Sequence, residues 1–393
     1  MKKSISFFCV LFLIPLFVLS CVPAFAAEPD GQITVRARVE EVVSDEMAST
    51  SYSGGEITTR VLTLRVRVLE GAFEGQTALI RQVFDEISLP SAYPAKAGDL
   101  LFVTLELDEQ NLLVGNAADY VRDLPLALLG GGFLLFLILF GRQKGVKTVL
   151  SLAVTCLVVF GLFFPLAVRG INPVWLSLLC AALMTGFTLF LVCGFTRKAC
   201  SAILGCLGGL SVAGILAAVF SYSMRLSGIV DEEAAFLRFI SDEFVLDFKG
   251  LLFAAIIIGA SGAAMDVAVS IASSLDELAQ KAPDLSARQL FSSGVVIGRD
   301  IMGTMSNTLI LAYVGGAIHL ILLLYAYPVA WANIINRETV AAQVLLTLSG
   351  SMGMFCSIPI TALFTAALSY TKGRKTREAG QNPPPDRDGA SEM

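Results

Sequence analysis

Two kinds of apolar pattern divide the chain. From Ile33 to about Val114 apolar and polar residues tend to alternate, whereas from Leu124 onward apolar residues run in long unbroken blocks. Ile33, Val35, Ala37 and Val39 are interleaved with Thr34, Arg36, Arg38 and Glu40, the period-two signature of a strand with one buried face. Val61 to Leu69, Gln76 to Val83 and Leu100 to Leu107 repeat it, and Leu112 to Val114 adds a short return strand. Glu70-Gly71, Glu74-Gly75 and Gly98-Asp99 supply turns between them, and Ser44 to Gly55 reads as an exposed loop. Four or five short strands in residues 27–123 predict a small all-β domain, with an OB-like barrel as the first candidate.

The later blocks fall near 124–140, 148–167, 173–194, 199–221, 250–272, 303–327 and 340–369. Each supplies roughly the 20 residues that an α-helix needs to cross a bilayer, and continuous apolarity argues against a transmembrane β-barrel. The expected fold is therefore an all-α polytopic membrane bundle of about seven transmembrane helices preceded by the small β domain. Six spans remain if a marginal one is re-entrant. Gly315-Gly316 admits close packing or a bend, and Gly350, Gly353 and Pro359 fit either a broken last helix or plain packing. Residues 231–248 interleave phenylalanines with acids as in an amphipathic interfacial helix, and Leu275 to Arg288 reads as a helical connector interrupted near Pro283.

Composition reinforces this division. Hydrophobic residues make up 55% and charged residues 16% of 393, a balance that excludes an ordinary soluble protein. Lys2 and Lys3, an apolar run to Leu19 and Ala24-Phe25-Ala26 predict a cleavable signal peptide over 1–26, with an uncleaved anchor as the alternative. Residues 27–123 carry 8 Lys/Arg against 17 Asp/Glu and no cysteine, so this exported segment is acidic and folds without disulfides. Export of residues 27–123 with seven spans puts Arg142, Lys144, Lys147, Arg197, Lys198, Lys281, Arg288 and Arg299 in the cytoplasm, together with a disordered tail, 371–393, that opens on Lys372, Arg374 and Lys375. That orientation agrees with the positive-inside tendency. No basic groove or aromatic ladder for nucleic acid is present.

Candidate chemistry concentrates in two stretches. In Gly262-Ala263-Ala264-Met265-Asp266-Val267-Ala268, small residues invite close helix contact while Asp266 places a carboxylate inside the fifth span, where facing lipid would be costly. In Gly298-Arg299-Asp300-Ile301-Met302-Gly303-Thr304-Met305-Ser306-Asn307-Thr308, Arg299 and Asp300 mark an inner entrance, and Ser306, Asn307 and Thr308 carry hydrogen-bonding capacity into the sixth span. Asp266, Asn307, Ser306 and Thr308 form the candidate polar cavity, with a static polar clasp between helices as the competing reading. His319, the sole histidine, is a gating candidate set against a structural role. No nucleotide-loop or His-Glu-x-x-His pattern stands in a convincing context, and Gly205-Cys206-Leu207-Gly208-Gly209 lies inside an apolar span.

These two stretches, extended to Ala272 and to Leu309, with Val68-Leu69-Glu70-Gly71, make the chain resemble the YibE/F-like bacterial multi-pass membrane family over most of residues 30–370. The resemblance implies a bacterial plasma membrane location and no settled substrate; the orientation, with the mature N-terminal domain outside and the C-terminus inside, rests on the signal peptide and the basic residues. The expected function is a permease or channel-like protein moving an ion or small polar solute. No catalytic residue, metal site or resident cofactor is assigned, and monovalent cation or proton coupling stays open. The alternatives are a noncatalytic envelope scaffold or transporter accessory and, more weakly, a membrane-embedded enzyme. Expected partners are membrane lipids, the transported species and an envelope partner held through residues 27–123.

Overall fold

The computed structural model describes residues 33–52, 55–84, 93–107, 113–230, 232–240, 246–326 and 330–380. The expected signal peptide lies outside these residues. The chain separates into two compact units, one of residues 23–136 and one that includes residues 137–393.

In the first unit, β1 (Ile33–Tyr52), β2 (Gly55–Val68), β3 (Thr77–Phe84), β4 (Leu100–Leu107) and β5 (Leu113–Tyr120) form a closed barrel in the order β1-β2-β3-β5-β4. All pairings are antiparallel except β3 with β5, where Leu79 to Arg81 run parallel to Val114 to Asn116. The alternating residues deliver the core: Val35, Ala37, Val39, Leu62, Leu64, Val66, Ile80, Leu101, Val103 and Leu105 are all buried. Register shifts after Val39 and Val42 break the alternation, which leaves both Val42 and Val43 exposed. Beyond them the segment read as a loop over Ser44 to Gly55 is instead a continuation of the β1–β2 hairpin, paired out to Tyr52 and Gly55. Ion pairs on facing strands brace its base: Arg65 with Glu41, and Arg67 with Glu40 at 2.6 Å. Further out, Arg60 grips Asp45 with two bonds of 2.8 and 2.7 Å. Gly71 and Gly75 adopt positive φ in the β2–β3 turn.

The helical part comprises α1 (Asp123–Cys156), a π-helical segment (Leu157–Phe163), α2 (Phe164–Val168), α3 (Pro173–Cys193), α4 (Arg197–Ser223), α5 (Glu232–Ile240), α6 (Phe248–Lys281), α7 (Ala287–Gly316), α8 (Ile318–Ala326), α9 (Trp331–Ile335) and α10 (Glu338–Gly380). Among the described residues, five helical stretches are long and apolar enough to cross a membrane, or six if the bent pair α7 and α8 is one span. The expected count of seven treats as two spans the single 46-residue run Asp123–Val168. That run is not one straight rod: Arg142 has φ 51° and ψ −125°, which a helix cannot accommodate. Near its end the π segment precedes Pro165, which has no N–H to donate to the preceding turn, and the Phe164 N–H donates five residues back to Val159.

Small residues set the packing of the helical bundle. Gly205, Gly208 and Gly209 of α4 lie against Thr361, Ile360, Ser357 and Gly353 of α10, so close that a Cβ on Gly209 would stand 2.4 Å from the Gly353 carbonyl oxygen. The glycine cluster in the fourth apolar block is thus a helix contact. Ala260, Ala264, Ala268 and Ala272 of α6 meet Ala202, Cys206, Leu210 and Ala213 of α4. Pro359 sits inside a continuous α10, so the last helix is unbroken and Gly353 serves packing. The bend occurs at the other candidate: α7 ends at Gly316 and α8 leaves at 64°. The connector near Pro283 interrupts the helix as expected, with Ala282 to Ser286 between α6 and α7 and Ser286 capping α7 reciprocally with Gln289. α5 supplies the short acidic helix, while residues 241–245 lie outside the described set. α10 runs on to Gly380, so helix occupies the start of the segment expected to be a disordered tail.

Candidate functional site

The geometry of α6 sorts its residues by face. The faces centred on Ala264 and Ala268, and on Val267 and Ile271, enter the core against α4 and against α7 and α10. The remaining face carries Ala255, Gly259, Gly262, Asp266 and Ser270, spaced three or four residues apart and all exposed. Asp266 therefore projects from a strip of small residues on an otherwise tightly packed helix. Gly262 lies open, with nothing near the position a Cβ would take, so the close contact expected of it is made by the alanines instead.

α7 is anchored at its beginning. Leu290, Gly294 and Gly298 are buried, and a Cβ on Gly298 would meet Ile358 of α10 at 2.1 Å. From Met302 onward no residue of α7 is buried, and Asp300, Gly303 and Asn307 share one exposed face at helical spacing. Ser306, Thr304 and Thr308 each return their hydroxyl to their own helix, donating to the carbonyls of Met302 (2.7 Å), Ile301 (3.0 Å) and Thr304 (3.0 Å). Their donors are spent locally. Asn307 and Asp266 keep their polar atoms uncommitted: among the described residues no hydrogen bond or ion pair joins them to each other or to Ser306 and Thr308. Tyr313 brings α7 back toward α6, its hydroxyl 3.4 Å from where a Cβ on Gly259 would lie. Arg299 and Asp300 are both exposed at the first half of α7, and His319 is exposed on α8 beyond the bend.

Several polar features were not anticipated. Buried Cys206 lies 3.7 Å from the Thr185 hydroxyl and 3.9 Å from the Ser261 carbonyl, linking α4 to α3 and α6. Glu338, in the first turn of α10, accepts from the Ser227 N–H (2.5 Å), the Ser227 hydroxyl (2.8 Å) and the Gly228 N–H (3.1 Å), clasping the turn after α4. The Thr361 and Thr365 hydroxyls are buried on α10 without a described partner. A glutamate after a loop, or a threonine in an apolar run, gives no period by which these contacts could be read.

In the barrel, Glu70 of Val68-Leu69-Glu70-Gly71 accepts from the Arg36 N–H at 3.1 Å, while the Arg36 guanidinium reaches Asp123 at 3.1 Å and lies over the Phe102 ring.

The YibE/F-like family model matches residues 129–371, more than half of the chain and all on its helical part. The chain belongs to the YibE/F-like family. The match includes α3, α4, α6, α7 and the greater part of α10, and with their length and apolarity it identifies a multi-pass helical membrane protein. The barrel lies outside the matched residues, so the resemblance carried by Val68 to Gly71 falls beyond them. No curated protein and no solved structure matched the chain.

Proposed function

We propose that this YibE/F-like protein is a permease or channel-like protein of the bacterial plasma membrane that moves an ion or small polar solute along the α6–α7 face. One observation carries the reading: Asp266 and Asn307, on exposed faces of consecutive membrane helices, have no hydrogen-bond or ion-pair partner among the described residues. A carboxylate at the centre of a membrane helix costs about 2.5–3.5 kcal/mol against lipid, so this face calls for water or a polar occupant. Gly262, with nothing near the position a Cβ would take, leaves room for one beside Asp266. Asp266 and the Asn307 amide would contact a hydrated cation or small polar solute, with Arg299 and Asp300 at the inner entrance and His319 in a gating position.

The same reading takes α1 as the end of one span and the start of the next. At 1.5 Å per residue a 46-residue helix would extend about 69 Å, more than twice the roughly 30 Å of a bilayer's hydrocarbon core. A reversal at Arg142 yields seven spans, a cytoplasmic C-terminus and a barrel on the outer side, where it would modulate access or hold an envelope partner. The order β1-β2-β3-β5-β4 with a parallel β3–β5 pair supports an OB-like barrel.

The test is flux through proteoliposomes of the purified protein with sodium, potassium and proton indicators and a panel of small polar solutes. Asp266→Asn is expected to lower the flux at least tenfold, and Asn307→Ala to lower it less, with thermal stability unchanged in both. A folded wild-type protein that moves nothing across the panel would replace this reading with the envelope scaffold or transporter accessory.

A further inference from the structure

At the end of the bundle where α4 finishes and α6 begins lies a pocket of about 360 Å³. Buried Leu252 and half-buried Phe253 are among its walls, and Arg225, Asp247 and Lys249, all exposed, stand at its mouth with half-buried Ser221. The two cations have no ion-pair partner among the described residues. Asp247 is committed elsewhere: it caps α6, accepting from the Gly250 N–H at 3.0 Å. Among the described residues the rim therefore carries two cations against the one carboxylate of Asp247, which is held at the positive end of the 34-residue α6.

The backbone at Arg225 points the same way. α4 ends in a Schellman arrangement, with the Leu226 N–H donating to the Ser221 carbonyl at 3.1 Å and the Arg225 N–H to that of Tyr222 at 3.2 Å. The residue at the turn has φ 55°, a left-handed conformation that glycine fills without strain, yet an arginine stands there. Leu226, next along, is buried and secures the turn, leaving the Arg225 side chain as what the strained position offers. At the same end of α3 and α4, Trp175 is 73% and Tyr222 88% exposed, a pair suited to the boundary between hydrocarbon and headgroups.

We propose that this pocket binds the phosphate of an anionic phospholipid headgroup, held by Arg225 and Lys249 with the glycerol end of the acyl chains against Leu252 and Phe253. The phosphate is the recognised chemistry; the lipid is its source because the two cations of the rim stand beside apolar walls at the end of three membrane helices. The inference is independent of the transport reading.

Thermal unfolding of the full-length protein in detergent tests it, with added phosphatidylglycerol, phosphatidylcholine or inorganic phosphate. Phosphatidylglycerol is expected to raise Tm by about 2–4 °C, phosphatidylcholine and phosphate by much less. Arg225→Gly is expected to keep or exceed the lipid-free Tm of the wild type, since glycine relieves the backbone, while losing most of the lipid-induced rise. Lys249→Gln, which leaves the backbone untouched, should lose part of it. An undiminished rise in both variants, or an equal rise with phosphatidylcholine, would overturn the site. A rise with phosphate alone that disappears in both variants would retain the phosphate chemistry and overturn the lipid as its source.

Discussion

At the residue scale, single atoms decide whether two helices can meet. Gly209 is one such position: a side chain there would enter space already held by the Gly353 carbonyl oxygen and, at 2.8 Å, by the Ser357 Cβ. Because the obstruction is partly backbone, it cannot rotate away, and Gly209→Val is expected to destabilise the bundle by about 1–3 kcal/mol, measured as a lowered Tm in detergent. Gly262→Ala, at an open position of the same bundle, should leave Tm nearly unchanged. A second residue-scale case concerns charge. The hydrogen bonds from Arg60 hold the Asp45 carboxyl below its usual range. Its contribution to the hairpin is in force above the ordinary aspartate range and is lost as pH falls through the lowered value. Arg60→Gln should move the Asp45 titration midpoint back up, read by carboxyl carbon NMR. Neither glycine could be ranked from the chain alone. Gly209 and Gly262 sit in equally small, apolar surroundings in sequence, and only the neighbouring helix separates them.

At the scale of elements, apolar length was a sound guide and helix continuity was not. The blocks at 173–194, 199–221 and 250–272 correspond to α3, α4 and α6, because twenty apolar residues in a row have few other ways to satisfy their backbone. Breaks followed a different logic. Pro359 leaves α10 continuous, whereas the break falls at Gly316, where no described neighbour lies within 4 Å of the position a Cβ would take on Gly315 or Gly316. The proposed reversal at Arg142 leads to a test by accessibility. In a background where only the probed cysteine remains, Gln143→Cys and native Cys200, which is exposed at the start of α4, are expected to react with a membrane-impermeant maleimide from the same side of the membrane. Cys206, fully buried, should stay unreactive from either side until the protein unfolds. Labelling of residue 143 and Cys200 from opposite sides would remove the seven-span count.

At the scale of the molecule, the two units each have their own core. Fourteen buried residues from Val35 to Leu113 make up the barrel's cluster, and none of them comes from the helices. A fragment of residues 27–122 is accordingly expected to fold alone, with dispersed amide resonances and a single cooperative thermal transition. A collapsed fragment without cooperative melting would mean that the barrel needs the helical part to complete it.

The chain's own pattern determined what each segment is. Period-two alternation can bury only one side of an extended strand, and unbroken apolarity can be hidden only in lipid or in a helical core, so a β unit followed by membrane helices was legible without coordinates. It also singled out Asp266, since a carboxylate in such a block is conspicuous wherever it points. The tertiary structure alone decided which way residues point and which helices touch. It closed the strands into a barrel, set the α4–α10 glycine contact, placed Asp266 and Asn307 on exposed faces without a shared bond, and put Arg225 in a left-handed turn at the mouth of a pocket. The reason is that periodicity records how a residue relates to its own helix or strand, while a contact across elements depends on backbone separations and rotations that no local spacing encodes.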